Sequence, residues 1–247
     1  MSNNFLALFQ MVAVMLSFLP LLSDAQEKRP PQFWLGYINN VQLKPHWQII
    51  SDLQVRTLNY TTNFSTRSIR TGLVYKRNER VSYAAGLAFF QQIYNGPTKV
   101  FFRNEWRPWQ EFARVQKHRK VNLTGRIRSE QRLIQQVVDD KLSQSYRFVF
   151  RVMFRLEAQY PIVGDRLFLG AGHDLFVLPA SLQKSGFLEQ NRSYAGLNLK
   201  VSPAASIQAQ YMMIFRRTNP ILATGRTNVA RLTFFHRIAK KGGESNG

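Results

Sequence analysis

Residues 146–162 read YRFVFRVMFRLEAQYPI and place Arg147, Arg151 and Arg155 among five aromatic rings. A soluble core does not readily take the three arginines, and a soluble surface does not readily take Phe148, Phe150, Phe154 and Leu156. Arginines four apart could form a stripe along a helix, but a helix would spread the apolar residues around most of its circumference. Taking every second residue sorts them more cleanly. Tyr146, Phe148, Phe150, Val152, Phe154, Leu156, Ala158 and Tyr160 form one set; Arg147, Val149, Arg151, Met153, Arg155, Glu157 and Gln159 form the other. Side chains alternate across a β-strand, so the segment is a strand with one greasy face and one charged face.

The same alternation recurs along the chain. In 119–132, Val121, Leu123, Gly125 and Ile127 oppose Asn122, Thr124, Arg126, Arg128, Glu130 and Arg132. In 46–56, Trp47, Ile49, Leu53 and Val55 oppose His46, Gln48, Asp52, Gln54 and Arg56. Strands are expected at 33–42, 46–57, 67–77, 80–92, 99–115, 119–135, 144–160, 165–178, 186–201, 204–216 and 227–238, with no helix between them. Pro45, Pro97, Pro161, Pro179, Pro203 and Pro220 fall at expected turns, while Pro108 predicts a bulge or bend within a strand. Short connections near Lys44, Asn78, Lys117, Gly164 and Ser202 alternate with longer ones near 58–66, 93–98, 136–143, 179–185 and 217–226.

Length argues for a membrane. The expected strands reach thirteen to seventeen residues, against about five to six in soluble sheets and about nine to eleven needed to cross hydrocarbon. Phe148 to Ala158 spans roughly 33 Å at about 3.3 Å per residue. Tilted by about 40°, it covers roughly 25 Å of a barrel axis, the height of an apolar band, with Tyr146 and Tyr160 at its two rims. The fold expected is all-β: a single closed antiparallel up-and-down transmembrane barrel of about 10–12 strands. Eleven strands is an odd count, so a missed or merged strand, or a first segment outside the wall, is expected. A soluble secreted β-protein is the structural alternative.

The 247 residues hold no cysteine, which excludes disulfide scaffolds, thiolate metal sites and a cysteine nucleophile. Residues 1–25 read as a cleaved signal peptide, with an apolar run from Phe5 to Leu22 and small residues before Gln26. Residues 26–32 read as an N-terminal linker, 33–238 as the barrel and 239–247 as a basic, polar tail. The tail places no aromatic residue at the terminus, leaving Phe235 or Ile238 as the signal for the outer-membrane insertion machinery.

The net charge of +20 is distributed by type. Lysines sit at turns and ends, whereas arginines sit mid-strand on the polar faces. Arg103, Glu105, Arg126, Arg128, Glu130, Arg132, Arg147, Arg151, Arg155, Glu157, Asp174, Gln190, Arg192 and Arg231 are therefore expected to form a charged network in the lumen. Arginine forks suit carboxylates in partly dehydrated surroundings. Nucleic acid is not an expected partner, because these arginines follow the strand period rather than clustering in one patch. Outer-membrane lipid and small anionic solutes are.

Four segments in order, EWRPWQEF (105–112), GRIRSEQR (125–132), RFVFRVMFRLEAQYPI (147–162) and LEQNRSYAGLNL (188–199), resemble a Gram-negative outer-membrane family, domain of unknown function 2490. The matching residues are Glu105, Arg126, Arg128, Glu130, Arg132, Arg147, Arg151, Pro161, Gln190, Asn191 and Arg192. The resemblance runs over about 33–238 and implies an outer-membrane barrel without implying an activity. No catalytic, cofactor or metal residues are expected. His46, His118, His173 and His236 lack metal-binding spacing, and His173 and Asp174 point to opposite faces with no evident serine partner. An anion pore or binding barrel is the leading functional expectation. A structural or assembly barrel with a plugged lumen and a lipid-modifying enzyme using His173 or His46 are the alternatives.

Overall fold

A computed structural model describes residues 26–61, 63–179, 187–217 and 224–238. Residues 1–25, expected as a signal peptide, the expected tail 239–247 and Pro220 lie outside the described residues. Twelve strands follow in order: β1 (Gln26–Lys28), β2 (Gln32–Lys44), β3 (Trp47–Leu58), β4 (Phe64–Lys76), β5 (Val81–Asn95), β6 (Val100–His118), β7 (Val121–Val138), β8 (Lys141–Val163), β9 (Leu167–Val177), β10 (Leu188–Ser202), β11 (Ala205–Arg217) and β12 (Thr224–Ile238). Each pairs with its neighbour in sequence from β2 to β12, and β12 pairs back to β2, closing a barrel.

Among the described residues the eleven expected strands all stand in the wall, and the three-residue β1 is the one strand the sequence reading missed. An odd number of alternating strands leaves the first and last pointing the same way. β12 and β2 accordingly pair in parallel, from Val229 opposite Gln32 to Ile238 opposite Val41, while β2 through β12 pair antiparallel. Residues 26–32, expected as a linker, extend this seam: β1 pairs parallel with Thr224–Arg226, and the Arg29 amide donates to the Arg226 carbonyl at 2.9 Å. Parallel ladders are slightly weaker per residue. On the outer face the Tyr37 hydroxyl bridges the seam to His236 Nδ1 at 3.0 Å.

Three local expectations are corrected. Residues 136–143 are not a long loop. β7 and β8 continue to a two-residue turn at Asp139–Asp140, both with positive φ (47° and 54°). Such backbone geometry matches the strand twist, and Asp tolerates it better than most residues. The Asp140 carboxylate also accepts from the Thr98 amide at 2.9 Å, tying the neighbouring loop. Pro161 lies inside β8 opposite Phe168, and the chain reverses instead at Gly164, φ +47°. Pro108 makes no bulge. It pairs with Leu87 on β5, but the β6–β7 ladder skips from Trp106–Leu133 to Trp109–Glu130 without a register change. The missing N–H removes a rung rather than adding a residue.

The outer face carries the apolar set. Phe148, Ile127, Leu53, Leu169 and Leu197 are each 45–59% exposed, and Tyr146 and Tyr160 are 40% and 45% exposed. A contiguous apolar surface of this extent needs a nonaqueous neighbour, and closure leaves no wall strand with a free edge, as hydrocarbon requires. The fold is a transmembrane β-barrel. Of the two C-terminal candidates for insertion, Ile238 faces outward, whereas Phe235 lines the interior.

The interior is not only a wet charged surface, as simple alternation implies. Trp34, Tyr194, Met212, Ile214 and Val229 pack into one buried cluster; Ala88, Phe90 and Trp109 form another. Glycine makes room for the rings. A Cβ on Gly172 would fall 2.5 Å from the Tyr194 ring, so that phenol lies flat against the wall. Gly172→Ala should lift Tyr194 and strain its 3.1 Å hydrogen bond to Glu157. Overpacking of this kind costs about 1–3 kcal/mol. Urea titration of the refolded barrel should therefore show a lower midpoint for this variant.

Candidate functional site: the arginine-lined lumen

One cavity of about 1200 Å³ occupies the barrel. It is lined by Leu58, Asn95 and Leu178 at the end carrying the β3–β4, β5–β6 and β9–β10 connections, and by Ser202, Pro203 and Ala204 at the other.

All fourteen residues of the expected network lie on strands at inward positions. Twelve line the cavity; Glu105 and Asp174 are 1% and 0% exposed and lie beneath their arginine partners. Arg155 holds Asp174 bidentately, Nε and NH2 each at 2.7 Å. Arg128 binds Glu111 through Nε at 2.8 Å, and Arg126 is 3.8 Å from the same carboxylate. Glu157 accepts from Gln159 at 2.9 Å and from the Tyr194 hydroxyl at 3.1 Å. Arg103 stacks 5.1 Å from the Tyr94 ring centroid, and Arg147 is exposed toward the lumen.

Six residues close into a ring in which arginine and glutamate alternate. Arg107 contacts Glu105 at 2.7 Å and Glu130 at 3.2 Å. Arg151 contacts Glu130 through Nε at 2.9 Å and Glu189 at 2.8 Å. Arg132 contacts Glu189 at 2.8 Å and returns to Glu105 at 2.7 Å. Three positive and three negative charges cancel. Each guanidinium bridges two carboxylates, which fixes both with the entropy loss of one side chain. Phe90 and Phe176 back the ring, with the Arg107 and Arg151 guanidinium carbons 4.0 and 4.6 Å from their centroids.

Two ring members, Arg107 and Glu189, were outside the expected set. Arg107 was within reach of pattern reasoning, since it stands two residues from Glu105 on the same face. Glu189 was not. Strict alternation cannot send both Glu189 and Gln190 inward. A register shift between Leu188 and Gln190 against β9 does so by inserting an extra residue. Glu111, Arg56, Arg216 and the Asp52–Arg70 pair (2.7 Å) also join the interior, each at the correct parity.

His173 has a serine neighbour after all: its Nδ1 lies 2.9 Å from Ser193 Oγ, between β9 and β10 on the outer face. Asp174 turns inward to Arg155 and gives His173 no orienting carboxylate, so the arrangement lacks the third member that activates a serine. His46 Nδ1 lies 2.8 Å from the Lys76 carbonyl in the β2–β3 turn. No group of three or more potential metal ligands occurs among the described residues.

Comparison with known proteins adds the following. Among solved structures the chain is similar to the NanC porin, at 13% identity, with 81% of this chain and 93% of that chain covered and a TM-score of 0.48. No curated protein matches it. A family model described as a protein of unknown function, DUF2490, matches residues 31–221, and the chain belongs to that family.

Proposed function

We propose that this protein is a non-enzymatic barrel of the Gram-negative outer membrane that admits or holds small anionic solutes. The observation that supports this reading is a cavity lined by residues from both ends of the barrel, whose wall carries more arginine than carboxylate. Arg56, Arg103, Arg147, Arg192, Arg216 and Arg231 line it without a carboxylate within ion-pair distance among the described residues. Fixed positive charge in a narrow, low-dielectric bore concentrates anions and repels cations. Outer-membrane lipid surrounds the wall, and of the two residues expected as an insertion signal Ile238 stands on the outward face of β12.

In a planar bilayer with a potassium chloride gradient, the reversal potential should take the sign of chloride permeability. A cation-selective barrel would overturn the reading, and one that passes no current would remove the pore and leave only a binding barrel. The second reading, a structural barrel with a filled lumen, draws on Glu189. The ion pairs from β7 and β8 reach past β9 to this residue on β10 and narrow the bore. That reading predicts no conductance in the same measurement.

A further inference from the structure

The interior charge is divided between two sides of the barrel. The alternating ring is anchored mainly on β6, β7 and β8 and is neutral. The arc running β10, β11, β12, β2, β3 contains the parallel seam and is cationic. It carries Arg192 on β10, Arg216 on β11, Arg231 on β12 and Arg56 on β3, set around Trp34 of β2. The Arg56 and Arg192 guanidinium carbons lie 3.9 and 5.4 Å from the Trp34 ring centroid. Arg192 is repelled by Arg56 and Arg216, and Arg56 by Arg216 and Arg231, while Asp174 attracts Arg192 and Asp52 attracts Arg56.

The neighbouring carboxylates each have partners: Asp52 pairs with Arg70, and Glu157 accepts from Gln159 and the Tyr194 hydroxyl. Asp174 gives both oxygens to Arg155, and Glu189 gives one oxygen each to Arg132 and Arg151. Arg56 bonds only to Gln54, Arg192 to Gln190 and Arg231 to Gln210, all neutral acceptors. Unused donors point the same way. Arg192 Nε, Arg231 Nε and the amide Nε2 of Gln190 are buried without an acceptor, and Gln190 is 2% exposed. Buried donors without acceptors are rare in folded proteins. A chloride ion could offset the charge but offers one centre to several directional donors. An oxyanion offers several acceptor atoms at once and suits guanidinium forks.

We infer that the seam-side arc formed by Arg56, Arg192, Arg216 and Arg231, with Trp34 and Gln190, is a binding site for a small oxyanion carrying at least two negative charges. This rests on the anionic-solute reading and assigns it a place in the lumen. The ring on the opposite wall holds the scaffold that keeps the four cations apart. Trp34 keeps Arg56 and Arg192 splayed rather than collapsed onto the wall.

The test is isothermal titration of the detergent-refolded barrel with inorganic pyrophosphate at low ionic strength. The wild-type protein should bind it saturably. Arg56→Gln and Arg192→Gln should each weaken binding by about 10-fold or more, as expected for loss of a charge-assisted fork. Arg77→Gln, in the β4–β5 turn outside the cavity lining, should leave it unchanged. If the glutamine variants fail to fold, Arg56→Lys with Arg192→Lys keeps the charge and removes the forks, and weaker binding is again expected. The inference is overturned if the wild type shows no saturable binding, if the arc variants bind as the wild type does, or if Arg77→Gln weakens binding equally. Anion-selective conductance with an unaltered pyrophosphate affinity in the arc variants would remove this site and leave the broader reading standing. Arc-dependent binding without anion-selective conductance would keep this site and remove the pore from the broader reading.

Discussion

Replacing Glu130 by leucine should cost the barrel about 3–5 kcal/mol, the range for removing one partner of a buried ion pair. Glu130 is 3% exposed and Arg151 5%, and Glu130 also receives Arg107 at 3.2 Å. Without it, two guanidinium groups stay buried against Phe90 and Phe176 with half their acceptors gone. Arg151→Met should be similarly damaging, because it leaves Glu130 and Glu189 short of donors. The double variant Glu130→Leu with Arg151→Met should recover much of the loss, since a well-packed apolar pair is often no worse than a buried ion pair. Equilibrium urea unfolding of the refolded protein in lipid measures all three. Additive losses would mean that the two side chains do not act as one unit. The recovery should be incomplete, because Arg107 and Glu189 each retain one ring partner and lose the other.

The second large effect concerns the outer face. Ile127 is 48% exposed and pairs with Phe154 in the β7–β8 ladder. Ile127→Arg places a guanidinium against hydrocarbon and should destabilise the barrel by about 2–4 kcal/mol. Val149→Arg puts the same side chain on the adjoining strand β8 but into the cavity, where Val149 is a lining residue. It should cost much less and shift conductance toward anions. The contrast separates a lipid-facing wall from a soluble one. In water the Ile127 variant would be nearly silent, as most exposed substitutions are. Heat-modifiable migration on gels and urea midpoints in bilayers of matched thickness give the comparison directly.

Much of this architecture follows from local order in the chain. The two-residue period of 146–162 and of 119–132 sorts every arginine from every phenylalanine before any tertiary contact is known, because a strand cannot send neighbouring side chains the same way. Strand length then separates a membrane wall from a soluble sheet, and the family motifs fall on the inward faces of β6, β7, β8 and β10. Where sequence reasoning failed, the cause was a break in that period or a relation between distant strands. Glu189 enters the ring only through a register shift against β9. The β7–β8 connection shrinks to Asp139–Asp140 because both aspartates adopt positive φ, a choice the sequence of 136–143 did not reveal.

The sequence by itself determined the strands, their inward and outward faces, and the excess of arginine over carboxylate in the interior, since all three depend on residue type and spacing alone. Only the tertiary structure decided how that charge is apportioned. Whether an arginine meets a glutamate depends on which strands lie beside or across from each other, and on the parallel seam that joins β12 to β2. Three glutamates happen to lie where Arg107, Arg132 and Arg151 can reach two each. Among the described residues no carboxylate comes within ion-pair distance of Arg56, Arg192, Arg216 or Arg231, and this separates the scaffold from the wall proposed to meet a solute.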